Sequence, residues 1–362
     1  MSRFYSLAVE GSGTEDIEAI SSYIYRLSEL HSTTAGGFVS ALAQRSDTFA
    51  ARSVLAASTV MLVRPNPTSA TVAAALAAAL GRDASELEPT TFLALSDALD
   101  RSMNTFAPKS RWCAACLAEQ QHDGRPAHYL LLWQLTALRA CHRHSVRLRE
   151  RCPACNKHQD SYRQRASLAR CVFCDHALDK VSRSDLELQG NEADLVELVR
   201  ELSQRPGLRF PAGGVARVVG SAFDEAWAGE QESRLYRRAQ LDDCIRFSNP
   251  SEPVTLASAR RLALLLQLPI AKLLSGDLTG TTRPLFDPDD GAARSQPTGK
   301  RTKIGASLRG RLSVFLDTCS REVPSLRRVS EALGASTGAL RYWCPTKPSK
   351  SSIAMRVQWQ KK

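Results

Sequence analysis

CAAC (Cys113–Cys116), CHRH (Cys141–His144), CPAC (Cys152–Cys155) and CVFC (Cys171–Cys174) follow one another in a single short stretch of this chain. Each pair leaves two residues between its members, so one tight turn aims both side chains at a common point. A tetrahedral zinc ion with all-protein ligands takes two such pairs, and eight ligands fill two closed sites. Chain order assigns Cys113, Cys116, Cys141 and His144 to a three-cysteine, one-histidine site. Cys152, Cys155, Cys171 and Cys174 then form a four-cysteine site, with interleaved pairing the alternative. The fifteen residues between CPAC and CVFC fit zinc-ribbon spacing. CAAC and CHRH follow the same logic with a longer insert. Two zinc ions are therefore the expected cofactors, since ordinary buried cysteines do not recur four times at one spacing.

Closed sites stabilise a fold and have no open position at which to activate water. His142, beside His144, is the ambiguous residue, as a substitute ligand or as the base of a zinc-finger nuclease. The spacing from Cys141 favours His144 as the ligand. His122, His128, His158 and His176 lie out of register and read as polar loop histidines. No H-x-E precedes a C-x-x-C, so the zinc-deaminase pattern is absent.

With 362 residues and 43% hydrophobic composition, the chain has material for two to four domains with real cores. No apolar run is long enough to suggest a membrane span. The opening MSRFYSLAVEGSG lacks a signal-peptide core, and metal-spaced cysteines suit a reducing, cytoplasmic setting. The net charge of +11 is unevenly placed. From Lys300 to Lys362 there are fourteen basic residues and three acidic ones, an excess equal to that of the whole chain. A second basic stretch, including Arg139, Arg147, Arg151, Lys157 and Arg170, runs between and beside the zinc pairs. Clustered positive charge of this kind is the electrostatic signature of nucleic-acid binding.

Ile17, Ile20, Ile24, Leu27 and Leu30 recur at helical spacing and predict an amphipathic helix over 14–31. Further helices are expected around Val72–Leu80, Phe92–Leu99 and Tyr129–Ala140, the last packing the two zinc half-sites together. Trp112 and Trp133 are expected to fill the small core beside the metals. Residues 184–276 read as helical, with one helix around Leu195–Val199, another within Phe210–Trp227 and two meeting at Leu268-Pro269. Residues 275–303 have the composition of a linker, and Gly299-Lys300-Arg301 fails the Walker A pattern. The segment Ser325–Pro345 is a helix-turn-helix candidate. Its second helix would offer Ser336, Thr337, Arg341 and Tyr342 to a major groove, with Arg327, Arg328, Lys347 and Lys350 around it.

These motifs resemble the TniQ family, which includes the TnsD-type target selectors. Its zinc region, R-x-C-P-x-C-L, then W-x-L, C-x-x-H and C-P-x-C, is similar to Arg111–Leu117, Trp133–Leu135, Cys141–His144 and Cys152–Cys155. Its N-terminal signature, roughly E-S-x-x-S-W-x-x-R-L, resembles Glu18–Leu27. Ala114, Ala19 and Tyr23 depart from the usual proline, serine and tryptophan. The resemblance covers about residues 14–180. It implies target-site selection in DNA transposition, with recruitment of the transposon's AAA+ ATPase and no cutting of DNA. One branch reads an attachment sequence, and a shorter one rides on a guide-RNA surveillance complex. A homodimer is a further expectation, as in several members of the shorter branch.

The expected fold is a mainly α multi-domain protein with a central double zinc-ribbon module and C-terminal helix-turn-helix-like domains. The boundaries are an N-terminal helical domain (1–108), the zinc module (109–182), a helical domain (183–276), a linker (277–305) and a basic C-terminal domain (306–362). The expected function is a non-enzymatic adaptor that binds DNA and the ATPase, with no membrane partner. A sequence-specific transcription regulator and, behind it, a zinc-finger nuclease using His142 are the alternatives.

Overall fold

A computed structural model describes residues 4–46, 48–56, 59–100, 105–159, 167–181, 192–228, 246–277, 311–312, 314–315 and 326–333. Among them the chain is mainly helical, and strand pairing is confined to isolated antiparallel bridges. The chain divides into two compact units, residues 1–239 with 244–285, and residues 240–243 with 286–362.

The first unit begins with α1 (Ile20–Leu30), α2 (Ala35–Ser46), α3 (Ala51–Ala56), α4 (Pro67–Leu80) and α5 (Ala84–Leu87). Ile20, Ile24 and Leu27 of α1 are fully buried, as are Phe38, Val39 and Leu42 of α2 and Val72 and Leu76 of α4. Burial of this kind contributes about 1.5–3 kcal/mol per large aliphatic or aromatic side chain. The helix α4 reaches further back than its alanine run suggests. The Asn66 side chain accepts a hydrogen bond from the Ser69 N–H at 2.9 Å, and Pro67 occupies the first turn, where a missing N–H costs nothing. Gly81, at φ 69°, closes the other end.

Two predicted helices are different in the structure, for one reason. Over 14–19 the chain turns and then runs extended, so α1 starts only at Ile20. The Ala19 N–H donates to the Tyr129 carbonyl and the Leu131 N–H to the Ile17 carbonyl, both within 2.9 Å. Ile17 is still buried, on an extended segment instead of a helix. Phe92–Leu99 contains a single 3₁₀ turn, Leu93–Leu95. There the Phe92 N–H goes to the Val63 carbonyl, and the Ala94 carbonyl accepts from Phe210. Where backbone groups are taken by distant segments, apolar periodicity no longer implies an i to i+4 ladder.

After the region of the cysteine pairs, where α6 (Ala114–His122) lies, come α7 (Ala193–Gln204), α8 (Gly214–Ala228), α9 (Leu256–Leu265) and α10 (Ile270–Ser275). The expected junction at Leu268-Pro269 is present: Gln267 adopts φ 53° and Pro269 caps α10. α10 packs on α7, α8 and α9. Gly214 is required at its contact, because a Cβ there would lie 2.0 Å from the Leu274 carbonyl oxygen.

In the second unit, α11 (Leu326–Leu333) buries Val329 and Leu333, and Arg311 donates to the Leu333 carbonyl at 2.5 Å. It falls on the first half of the helix-turn-helix candidate and carries Arg327 and Arg328. Ser336, Thr337, Arg341, Tyr342, Lys347 and Lys350 lie outside the described residues.

Candidate metal centres

The first cysteine pair sits at the start of α6 (Ala114–His122), with Cys113 as its N-cap and Cys116 in its first turn. The other three pairs share a different device. In each, the N–H of the residue after the pair donates back to the carbonyl of the pair's first cysteine. These bonds are Ser145 to Cys141, Asn156 to Cys152 and Asp175 to Cys171, all within 2.9 Å. Each of these residues is left-handed, at φ 52°, 57° and 56°. A bridge then closes each hairpin: Ala140 with Arg147, Arg151 with His158 and Arg170 with Ala177. Ser, Asn and Asp tolerate the left-handed region better than bulky or branched residues do.

The eight residues gather into two groups, Cys113, Cys116, Cys141 and His144, and Cys152, Cys155, Cys171 and Cys174. In each group the potential ligand atoms lie within 4.8 Å of one another. Cys116 Sγ is 3.5 Å from Cys141 Sγ and 3.2 Å from His144 Nδ1, and Cys113 Sγ is 3.7 Å from the same nitrogen. In the second group, Cys152 and Cys174 are 3.7 Å apart and Cys155 and Cys171 3.6 Å. Metal–sulfur bonds of about 2.3 Å and metal–nitrogen bonds of about 2.0 Å in a tetrahedron give edges of about 3.5–3.8 Å. The donor sets therefore fit one metal ion each, and either group could hold one.

His144 turns Nδ1 to the sulfurs and Nε2 to Glu119 Oε1 at 2.7 Å, and Arg143 Nη2 lies 2.8 Å from the other Glu119 oxygen. A carboxylate behind a ligating histidine fixes its tautomer and raises its basicity. His142 stands outside the cluster, 3.1 Å from Asp16. Burial works against its charge, but the Asp16 carboxylate and Cys141 lift it to about 9. In the first group, hydrogen bonds from Cys113 and Cys116 pull the Cys141 thiol down, whereas the bonds to Cys113 and Cys141 push the Cys116 thiol up. In the second, Gln159 Nε2 donates to Cys171 Sγ at 3.3 Å, and its Oε1 accepts from the Val172 N–H at 3.0 Å. Burial pushes the Cys171 thiol up, but the N–H groups of Phe173 and Cys174 bring it to about 6.

Tyr129–Ala140 corrects a third predicted helix, because it holds only the 3₁₀ turn Leu132–Gln134. Arg111, itself buried, donates to the carbonyls of Trp133 at 2.7 Å, Leu138 at 2.8 Å and Leu135. Those carbonyls would otherwise serve a helix. Burial draws the Arg111 guanidinium down to about 10. Trp112 and Trp133 fill the core as expected, both fully buried. His128 lies in a loop and outside both metal groups, as expected, but it is buried there, held by Gln120 and the Pro126 carbonyl.

A buried polar chain joins this region to α1. The Tyr129 N–H donates to Ser22 Oγ at 2.9 Å, and Ser22 donates to Glu18 Oε1 at 2.7 Å. Arg26 donates to Glu18 Oε2 at 2.5 Å and to Glu10 at 3.0 Å. Glu18, Ser22 and Arg26 are the polar positions of the N-terminal signature.

Residues 12–148 match the model of the TniQ family. The match supports a TniQ-family assignment and spans both the polar chain at Glu18 and the first metal group. It stops short of Cys152, so the second group lies beyond it. A TniQ domain implies a transposition-associated role in target selection. No curated protein matches the chain.

Glu119, Gln159 and the trio Ser145, Asn156 and Asp175 went unread in the sequence. The trio did carry a signal, a small polar residue directly after each of three pairs. Glu119 and Gln159 carried none, because their roles depend on α6 and on the second hairpin being in place. Among the described residues no helix is long and apolar enough to cross a membrane.

Proposed function

We propose that this chain is a target-site selection adaptor of a DNA transposition system. It would link a target-recognition component, either a guide-RNA surveillance complex or a DNA attachment site, to the transposon's AAA+ ATPase. The TniQ match over 12–148 carries this reading. The reading is non-enzymatic, in keeping with closed donor sets whose four ligands leave no position for water. Zinc is the ion proposed for both groups, because thiolate-rich tetrahedral sets favour it. Cys113, Cys116, Cys141 and His144 would hold one ion, and Cys152, Cys155, Cys171 and Cys174 the other. Each ion would fold its hairpins and do no chemistry.

DNA contact is assigned to the basic tail. Arg327 and Arg328 stand on α11, and Ser336, Thr337, Arg341, Tyr342, Lys347 and Lys350 follow it. The protein would act in the cytoplasm, and a second copy of the chain is a candidate partner.

The test is to purify the zinc-loaded chain with the AAA+ ATPase of the same element and measure ATPase recruitment to DNA. Recruitment that depends on the chain is expected. An ATPase that loads equally well without it would overturn the adaptor and favour a transcription regulator. Selection from a random duplex library then separates the two branches. One compact recovered motif marks an attachment-site reader, and sequence-indifferent recovery marks an adaptor guided by another component.

A further inference from the structure

In the three hairpin pairs the residue just before the second member lies in the middle of the turn: Arg143, Ala154 and Phe173. Phe173 is unusual among them. It is a large aromatic side chain, 38% exposed, on a backbone fixed by its N–H bond to Cys171 Sγ at 3.4 Å. Lys157, from the neighbouring hairpin, places Nζ 4.8 Å from the centre of its ring. Arg147, Arg151 and Lys157 are exposed and, among the described residues, form no ion pair. Arg170 is different, because Asp175 takes it up at 2.5 Å.

We propose that the tip of the second metal group, Phe173 with Lys157 beside it, is a contact site for single-stranded nucleic acid. An unpaired base would stack on the face of the Phe173 ring opposite Lys157, and Lys157 and Arg151 would meet the flanking phosphates. An aromatic face beside exposed cations that no carboxylate neutralises is the chemistry by which proteins hold single strands without reading sequence; among the described residues, Arg151 donates only to the Asn156 carbonyl, at 2.9 Å. A duplex offers its base edges, with the base faces already stacked on each other, so a ring held at a surface tip meets a base face in a duplex only at the cost of unstacking a step, which a single strand does not impose. A protein partner fits less well. Apolar surface at the tip is small, with Val172 half-buried and only Pro153 and Ala154 exposed on the facing turn, and the surrounding charge favours a polyanion. The site lies beyond the region matched by the family model, and it stands independently of the adaptor reading.

The experiment uses the full metal-loaded chain and an oligonucleotide carrying 5-iodouracil, presented single-stranded and then as a duplex. Ultraviolet cross-linking and peptide mass spectrometry locate the adduct. An adduct on Phe173 with the single strand, lost in the duplex, is the expected result. Phe173→Leu should weaken single-strand binding about tenfold, with bound metal unchanged, and Phe173→Tyr should retain affinity. Stacking is not screened as phosphate contacts are, so this difference should persist at 200 mM salt. Adducts confined to other residues, equal adduct yield in the duplex, or unchanged affinity in Phe173→Leu would each overturn the proposal. If Phe173→Leu loses metal, the position of the adduct in the wild-type chain decides alone. An adduct at Phe173 in a chain that fails to recruit the ATPase would leave this site standing while removing the adaptor.

Discussion

Glu18 and Arg26 show how a signature motif can be structural. Both are buried, and their ion pair is completed by Ser22 and, through it, by the Tyr129 N–H. Removing one partner of a buried pair leaves a charge without compensation, which typically costs about 3–5 kcal/mol. Arg26→Leu is therefore expected to lower the denaturant midpoint sharply, and a shift within error would show that the pair contributes little. The same residues set a pH dependence. Burial lifts the Glu18 carboxyl from its ordinary 4.5 to about 7, against the pull of Arg26 and Ser22. A folded value above the unfolded one gives stability that is complete below about 4.5 and is lost as pH rises through about 7. Denaturation curves across that window should fall in stability for the wild-type chain and lose that component of the slope in Glu18→Gln. Gly214 is a simpler case. A Cβ there would run into the Leu274 backbone, so Gly214→Ala should destabilise by about 2 kcal/mol or more, read from the shift in thermal midpoint.

Among the elements, the two metal groups differ in exposure although their spacing is alike. Cys113, Cys116 and Cys141 are buried, and the Glu119 carboxylate backs His144. In the second group Cys174 is exposed and Cys155 half-buried. A chelator or a peroxide therefore reaches the second group first. With a chromogenic zinc indicator, release should come in two steps of one equivalent each, and Cys174→Ser should remove only the faster one. A single step of two equivalents would contradict this. The hairpins carry a further expectation at their left-handed residue. Asn156→Gly should be nearly neutral for metal retention, whereas Asn156→Val should weaken it, because a β-branched residue resists that conformation.

Across the whole molecule, the charge of residues 300–362 predicts how DNA binding responds to salt. If the tail makes around six phosphate contacts, affinity should fall about a thousandfold between 50 and 200 mM salt. Deleting residues 300–362 should remove most of that slope, and an unchanged slope would move the DNA contact elsewhere in the chain.

The sequence by itself was enough to group the eight cysteine and histidine positions, to choose His144 over His142 for the first group, and to place Trp112 and Trp133 in the core. Pair spacing is a local constraint: two residues make one turn, and a turn aims two side chains at one point whatever surrounds it. The helix junction at Leu268-Pro269 was legible for the same kind of reason, since proline acts on its immediate neighbours. The helices expected over 14–19, Phe92–Leu99 and Tyr129–Ala140 were not settled locally. Their apolar spacing reports burial, and burial is compatible with helix or with extended chain. The tertiary structure decided between them by supplying other partners for their backbone: the Ile17–Ala19 pairing with Tyr129–Leu131, the Val63 and Phe210 bonds, and the buried Arg111 guanidinium. Glu119 behind His144 and Lys157 over Phe173 likewise exist only once distant segments meet, because a hydrogen bond or a ring contact is made in space and leaves no period in the chain.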